Sequence, residues 1–282
     1  MALIQPLGQA EDARAAGVRL YRENHFSEAI PQLKKALESN PDDKEVAQLL
    51  GIAYYLTGQD RAAVPLLERA QSWVAAANTD ASYILGMSYI RMREYEKALQ
   101  AFAGLFHVDS QSAASHLFLA RMLLRQEMDL AAEEYARKAI AIDPRLPLAN
   151  FLLGEIHLFK SRVSEAIECY KRELELNAAY APAYYKLGDA YSRLSQWEEA
   201  ERNLQRSVWL DASSTGPYVL LGKVHLKKGE AELASRFLAR ALSMDPNNFL
   251  AHNLLGQAYR ALGRNEEADR EMKKADELQK KQ

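Results

Sequence analysis

The chain has 282 residues, with 36 Lys and Arg against 38 Asp and Glu, and a single cysteine, Cys169. A net charge of -2 gives no whole-molecule attraction for nucleic acid or anionic lipid, and one cysteine excludes an intramolecular disulfide and a multi-cysteine metal site. No apolar run approaches the roughly 18 residues that span a bilayer, and Met1 to Ala10 lacks the basic start of a secretory signal; the expected location is cytoplasmic, although an exported mature form would read the same.

Taken in order, residues 1–9 read as an N-terminal extension, and an alanine then recurs at an almost fixed stride: Ala29, Ala63, Ala98, Ala132, Ala166, Ala200, Ala234 and Ala268. Twelve residues before each lies Gly17, Gly51, Gly86, then Ala120 in place of glycine, then Gly154, Gly188, Gly222 and Gly256. Self-similarity at a fixed period between about 20 and 50 residues marks a stacked array whose units cannot bury their apolar faces alone. The phase puts repeat starts near 10, 44, 79, 113, 147, 181, 215 and 249, within one array reaching residue 282.

Within each repeat, apolar residues fall twice at spacings of three and four. The sixth shows it, with Tyr184, Leu187, Gly188 and Tyr191, a turn near Ser195, then Trp197, Ala200, Leu204, Val208 and Leu210. That pattern predicts two amphipathic helices of about 12 to 14 residues. Gly and Ala at the crossing let helix backbones approach closely, which offsets the roughly 1 kcal/mol that glycine costs inside a helix. Pro41, Pro144 and Pro246 mark repeat ends. An extra residue enters around Ala75 to Asn78, and Asp276 replaces the apolar residue found earlier as Leu37, Phe106, Ile140, Leu174, Val208 and Leu242. The last helix is therefore expected to be a solvated cap.

These residues resemble the tetratricopeptide repeat, a 34-residue helix-turn-helix unit with Leu-Gly and Tyr in its first helix. Leu50-Gly51 with Tyr54, Leu85-Gly86 with Tyr89, Leu187-Gly188 with Tyr191, and Leu255-Gly256 with Tyr259 carry the likeness over eight repeats. The resemblance implies an all-α fold, an α-solenoid of antiparallel helix pairs in a right-handed superhelix, with first helices lining a concave groove that takes partner peptides. On that basis the groove of repeats two to five is apolar, with Tyr55, Tyr83, Met87, Ile90, Leu117, Phe118 and Phe151, and Arg121 among them. Repeats six to eight add Tyr185, Arg193, Lys223, Lys227 and Arg260, a mainly basic stretch suited to an acidic segment. The family's clamp for acidic chaperone tails is disfavoured, since its places hold Arg14, Val18, Leu49, Asp80 and Ile84, of which Arg14 alone is compatible.

No residues point to catalysis, a cofactor or a metal. The six histidines form no i, i+4 pair and no HExxH, and His157 and His225 stand at the repeat's tyrosine position as expected space-fillers. There is no phosphate-binding glycine loop or nucleophile elbow, because the recurrent glycines fall inside helices. The expected protein is a non-catalytic scaffold or adaptor that binds another protein without nucleic acid or membrane insertion; self-association or a structural part in a larger assembly is the alternative.

Overall fold

The computed structural model describes residues 7–71 and 79–280, and among these it contains sixteen α-helices and no strand. The chain divides into two compact halves, Met1–Ile142 and Asp143–Gln282. The N-terminal half holds the pairs α1 (Leu7–Arg22) and α2 (Phe26–Ser39), α3 (Lys44–Leu56) and α4 (Asp60–Gln71), α5 (Thr79–Arg91) and α6 (Tyr95–Phe106), and α7 (Ala113–Arg125) and α8 (Asp129–Ile142). The C-terminal half holds α9 (Ala149–Phe159) and α10 (Val163–Leu176), α11 (Ala181–Arg193) and α12 (Trp197–Leu210), α13 (Thr215–Lys227) and α14 (Ala231–Met244), and α15 (Phe249–Ala261) and α16 (Asn265–Gln279). Helix starts follow the expected phase closely. The first departs from it, since α1 begins at Leu7 rather than near residue 10. The extra residue expected around Ala75 to Asn78 lies outside the described residues.

Within each half, the second helix of a pair packs on the first helix of the next, as α2 on α3 and α10 on α11 do. In the N-terminal half α1, α3 and α5 also lie side by side, and in the C-terminal half α11, α13 and α15 do the same. First helices thus approach one another more closely than second helices, so they form the inner side of the bend in each half.

The recurrent glycines explain how close the pairs come. A Cβ on Gly188 would stand 2.6 Å from Leu204 Cγ and 3.2 Å from the Ala200 carbonyl oxygen, and one on Gly154 would stand 2.6 Å from Tyr170 Cε1. The side chain over each glycine is the one sixteen residues later: Leu33, Leu67, Phe102, Tyr170, Leu204, Leu238 or Met272. The alanine twelve residues on contributes its carbonyl at Gly188 and Gly256 rather than a methyl contact. Where Ala120 replaces glycine, the residue in register is Ala136, the smallest side chain of that series, and both are fully buried. Overpacking costs about 1–3 kcal/mol, against roughly 1 kcal/mol of better helix propensity. Gly188→Ala should therefore destabilise the fold by up to about 2 kcal/mol net, measured by urea unfolding followed by circular dichroism; a gain in stability would contradict this packing.

The turn inside each repeat uses one backbone state. Asn24, Gly58, Arg93, Glu127, Ser161, Ser195, Gly229 and Gly263 all have φ between 57° and 81°. Five of the eight are not glycine, so the geometry of the pair holds L-residues in a left-handed conformation they rarely adopt. Helix α16 buries Ala268 and Ala275 and leaves Asp276 exposed.

Candidate partner-binding face

In the N-terminal half, an aromatic cluster rises from the core onto the first-helix face. Phe102 of α6 is buried under Gly86, and Tyr83 of α5 leans on it with ring centroids 5.9 Å apart. Phe118 of α7 meets Phe102 edge-on at 5.0 Å and Phe106 at 4.9 Å. The Tyr83 hydroxyl lies 3.8 Å from Met122 Sδ, which ties α5 to α7. Tyr83, Leu117 and Phe118 are each half-buried, so their inner edges are core and their outer edges remain accessible. Arg121, one turn further along α7, is exposed.

Tyr55 is held differently. The Arg91 guanidinium stacks 3.9 Å over its ring, donates to the Tyr55 carbonyl oxygen at 3.0 Å, and lies 3.5 Å from Asp60 Oδ1. Burial pushes the Tyr55 phenol above its ordinary range. Two expected contact residues belong to the core instead. Met87 is 5 % exposed and Ile90 is fully buried, because α5 is flanked by α3, α4 and α6 and keeps little free surface.

In the C-terminal half Phe151 is half-buried and packs on Tyr170 at 5.6 Å and Tyr180 at 5.2 Å, within a cluster that includes Leu158 and Leu187. Tyr185 lies over Gly216 and against the cluster of Leu204 and Leu221, and burial raises its phenol as well. The expected basic stretch is smaller than its sequence implies. Arg193 pairs with Asp189 at 3.0 Å, Arg260 with Asp269 at 3.1 Å, and Lys186 with Glu155 at 3.1 Å. Among the described residues Lys223, half-buried, and Lys227, exposed, have no carboxylate partner. At the places of the chaperone-tail clamp, the compatible Arg14 is already bonded to Asp43 at 2.8 Å and to Glu45.

Histidines and the cysteine sit where space-filling predicts. His157 and His225 are 3 % and 2 % exposed, and His225 stacks flat on Phe237 at 5.1 Å while its Nδ1 meets Glu230 at 2.5 Å. The hydrogen bond from His225 holds the Glu230 carboxyl below its usual range. Cys169 is buried in α10.

Three features escape the sequence pattern. Phe106 is 51 % exposed although its place in other repeats is apolar packing, because α6 ends there and His107 turns the chain left-handed. Trp209 of α12 is 71 % exposed, with the Arg206 guanidinium 4.1 Å from its ring. Glu173, fully buried, caps α9: it accepts from the Leu148 amide at 2.9 Å and the Phe151 amide at 3.3 Å. Its signal lies in the register it shares with Ala36, Ala70, Leu105, Ala139, Ser207, Ala241 and Ala275, mostly alanine, where a carboxylate has no packing reason.

Stacked antiparallel helix pairs with a first-helix inner face define the class of helical-repeat solenoid. Sequence profiles described as tetratricopeptide repeat match residues 83–147 and 151–217, 216–248, and 237–270. The chain belongs to the tetratricopeptide repeat family. A profile described as anaphase-promoting complex, cyclosome, subunit 3 matches residues 22–105. Among solved structures, one of MamA is 25 % identical with a TM-score of 0.55, covering 61 % of this chain and 94 % of that one. A second structure of MamA is 27 % identical with a TM-score of 0.54, over 57 % of this chain and 95 % of that one. The Cut9–Hcn1 hetero-tetramer shares the fold at 20 % identity and a TM-score of 0.54, over 90 % of this chain and 57 % of the matched chain. No curated protein matches. No helix among the described residues is long and apolar enough to cross a membrane.

Proposed function

We propose that the chain is a non-catalytic scaffold or adaptor, one array of eight repeats that holds a peptide segment or helix of another protein against its first-helix face. One observation carries this: Tyr83, Leu117 and Phe118 are half-buried apolar residues on adjoining first helices, with Phe102 buried beneath the two rings and the exposed Phe106 packed beside Phe118. Rigid aromatic edges give large contact area with little rotamer entropy to lose on binding. The family supports the role, since repeat arrays present extended concave binding surfaces. The location suited to a chain whose single cysteine, Cys169, is buried is a reducing one such as the cytoplasm.

Capture from a native lysate tests it. The wild-type chain should retain a protein that Tyr83→Asp with Phe118→Asp loses at least tenfold, both chains first being matched in helical circular dichroism. If the double variant unfolds, Leu117→Ser serves in its place with an expected loss of several-fold. Equal capture by wild type and folded variants would refute the assignment to this face.

A further inference from the structure

Two basic pairs remain uncompensated on the first-helix faces. Arg121 and Arg125 lie four residues apart on α7, and Lys223 and Lys227 lie four apart on α13. The pairs occupy the same two places of their repeats, three repeats apart in sequence. At these places Arg91 is matched by Asp60, Arg193 by Asp189 and Glu155 by Lys186, while Arg22 is a lone cation with Val18, not a second basic residue, one turn before it. Among the described residues none of Arg121, Arg125, Lys223 and Lys227 has a carboxylate partner, and all but the half-buried Lys223 are exposed. Like charges at i, i+4 repel along a helix. What sets these two sites apart is two cations one turn apart with no carboxylate of the fold beside them, which suits a counter-charge from outside the fold.

We propose that these pairs are two acid-reading points, each taking an Asp or Glu side chain of a bound protein segment, and that on α7 the acid follows an apolar residue seated on Leu117 and Phe118. This rests on the groove assignment above. The apolar neighbours favour a protein segment over a nucleic acid, whose contacts would spread along a phosphate backbone and call for a broad basic stripe. Charged contacts of this kind set encounter rate and orientation, while the aromatic edges set residence time.

The test is selection of a randomised twelve-residue peptide display library on the immobilised full chain, followed by sequencing and by affinity measurement of recovered peptides. Recovered sequences should be enriched in Asp and Glu beside an aliphatic or aromatic residue. Arg121→Glu with Arg125→Glu, or Lys223→Glu with Lys227→Glu, should weaken those peptides at least tenfold at low salt and shift selection toward Lys and Arg. These side chains are at the surface, so unchanged circular dichroism is expected. Recovery with no acidic bias, yet dependent on Phe118, would overturn the acid-reading points and leave the groove intact. Recovery independent of both Phe118 and the basic pairs, or none above the bare matrix, would overturn both. Tighter binding of a labelled oligo(dT) strand by the same four cations would overturn the choice of a protein segment.

Discussion

Tyr170→Ala should destabilise the C-terminal half by about 3–5 kcal/mol, the range for truncating a large buried aromatic. Tyr170 is fully buried, fills the space over Gly154 and supports Phe151 from below at 5.6 Å. Truncation leaves a cavity between α9 and α10 that Gly154, having no side chain, cannot help to fill. The loss would reach the candidate face too, because Phe151 would have no floor. Tyr170→Phe separates volume from polarity. Its hydroxyl is buried without a hydrogen-bond partner, and burial pushes the phenol far above its ordinary range. Deleting that oxygen should leave stability unchanged or raise it by about 1 kcal/mol. Chemical denaturation of the three chains checks both; a Tyr170→Phe loss as large as that of alanine would show that the hydroxyl has a partner in solution.

Ala136→Leu is the second large expectation, at about 1–3 kcal/mol destabilising. Leucine is the residue at this place in four other repeats, Leu33, Leu67, Leu204 and Leu238, but each of those lies over a glycine. In the fourth repeat Ala120 occupies the glycine's place, so a leucine at 136 would meet its methyl group. Adding Ala120→Gly should remove that conflict. The double variant should recover most of the loss, with a coupling of about 1–3 kcal/mol in a double-mutant cycle. Additive effects would mean that α7 and α8 pack in a different register from the other pairs.

The placement of the candidate face shows where reasoning from the sequence succeeds and fails. Tyr83, Leu117 and Phe118 were legible because they are apolar residues on first helices outside the packing series, and each does keep an accessible edge. Met87 and Ile90 look the same in the sequence, yet neighbouring helices close over them. Helical spacing gives the direction in which a side chain points but not whether another helix lies there. Charges failed in the opposite sense. Arg193 and Arg260 read as free cations, although Asp189 stands one turn before Arg193 on the same helix and the turn into α16 brings Asp269 to Arg260.

The chain's own sequence determined the repeat, its phase, the helix pairs and the polar final helix, because a 34-residue period and three-four apolar spacing are local properties that a backbone must satisfy wherever it folds. The tertiary structure alone decided which first-helix residues stay open, which cations keep their charge uncompensated, and why Glu173 stands in an alanine series, namely to receive the amides of Leu148 and Phe151. Those depend mostly on contacts between one helix and another, where small differences in helix approach decide whether a side chain is covered, paired or free.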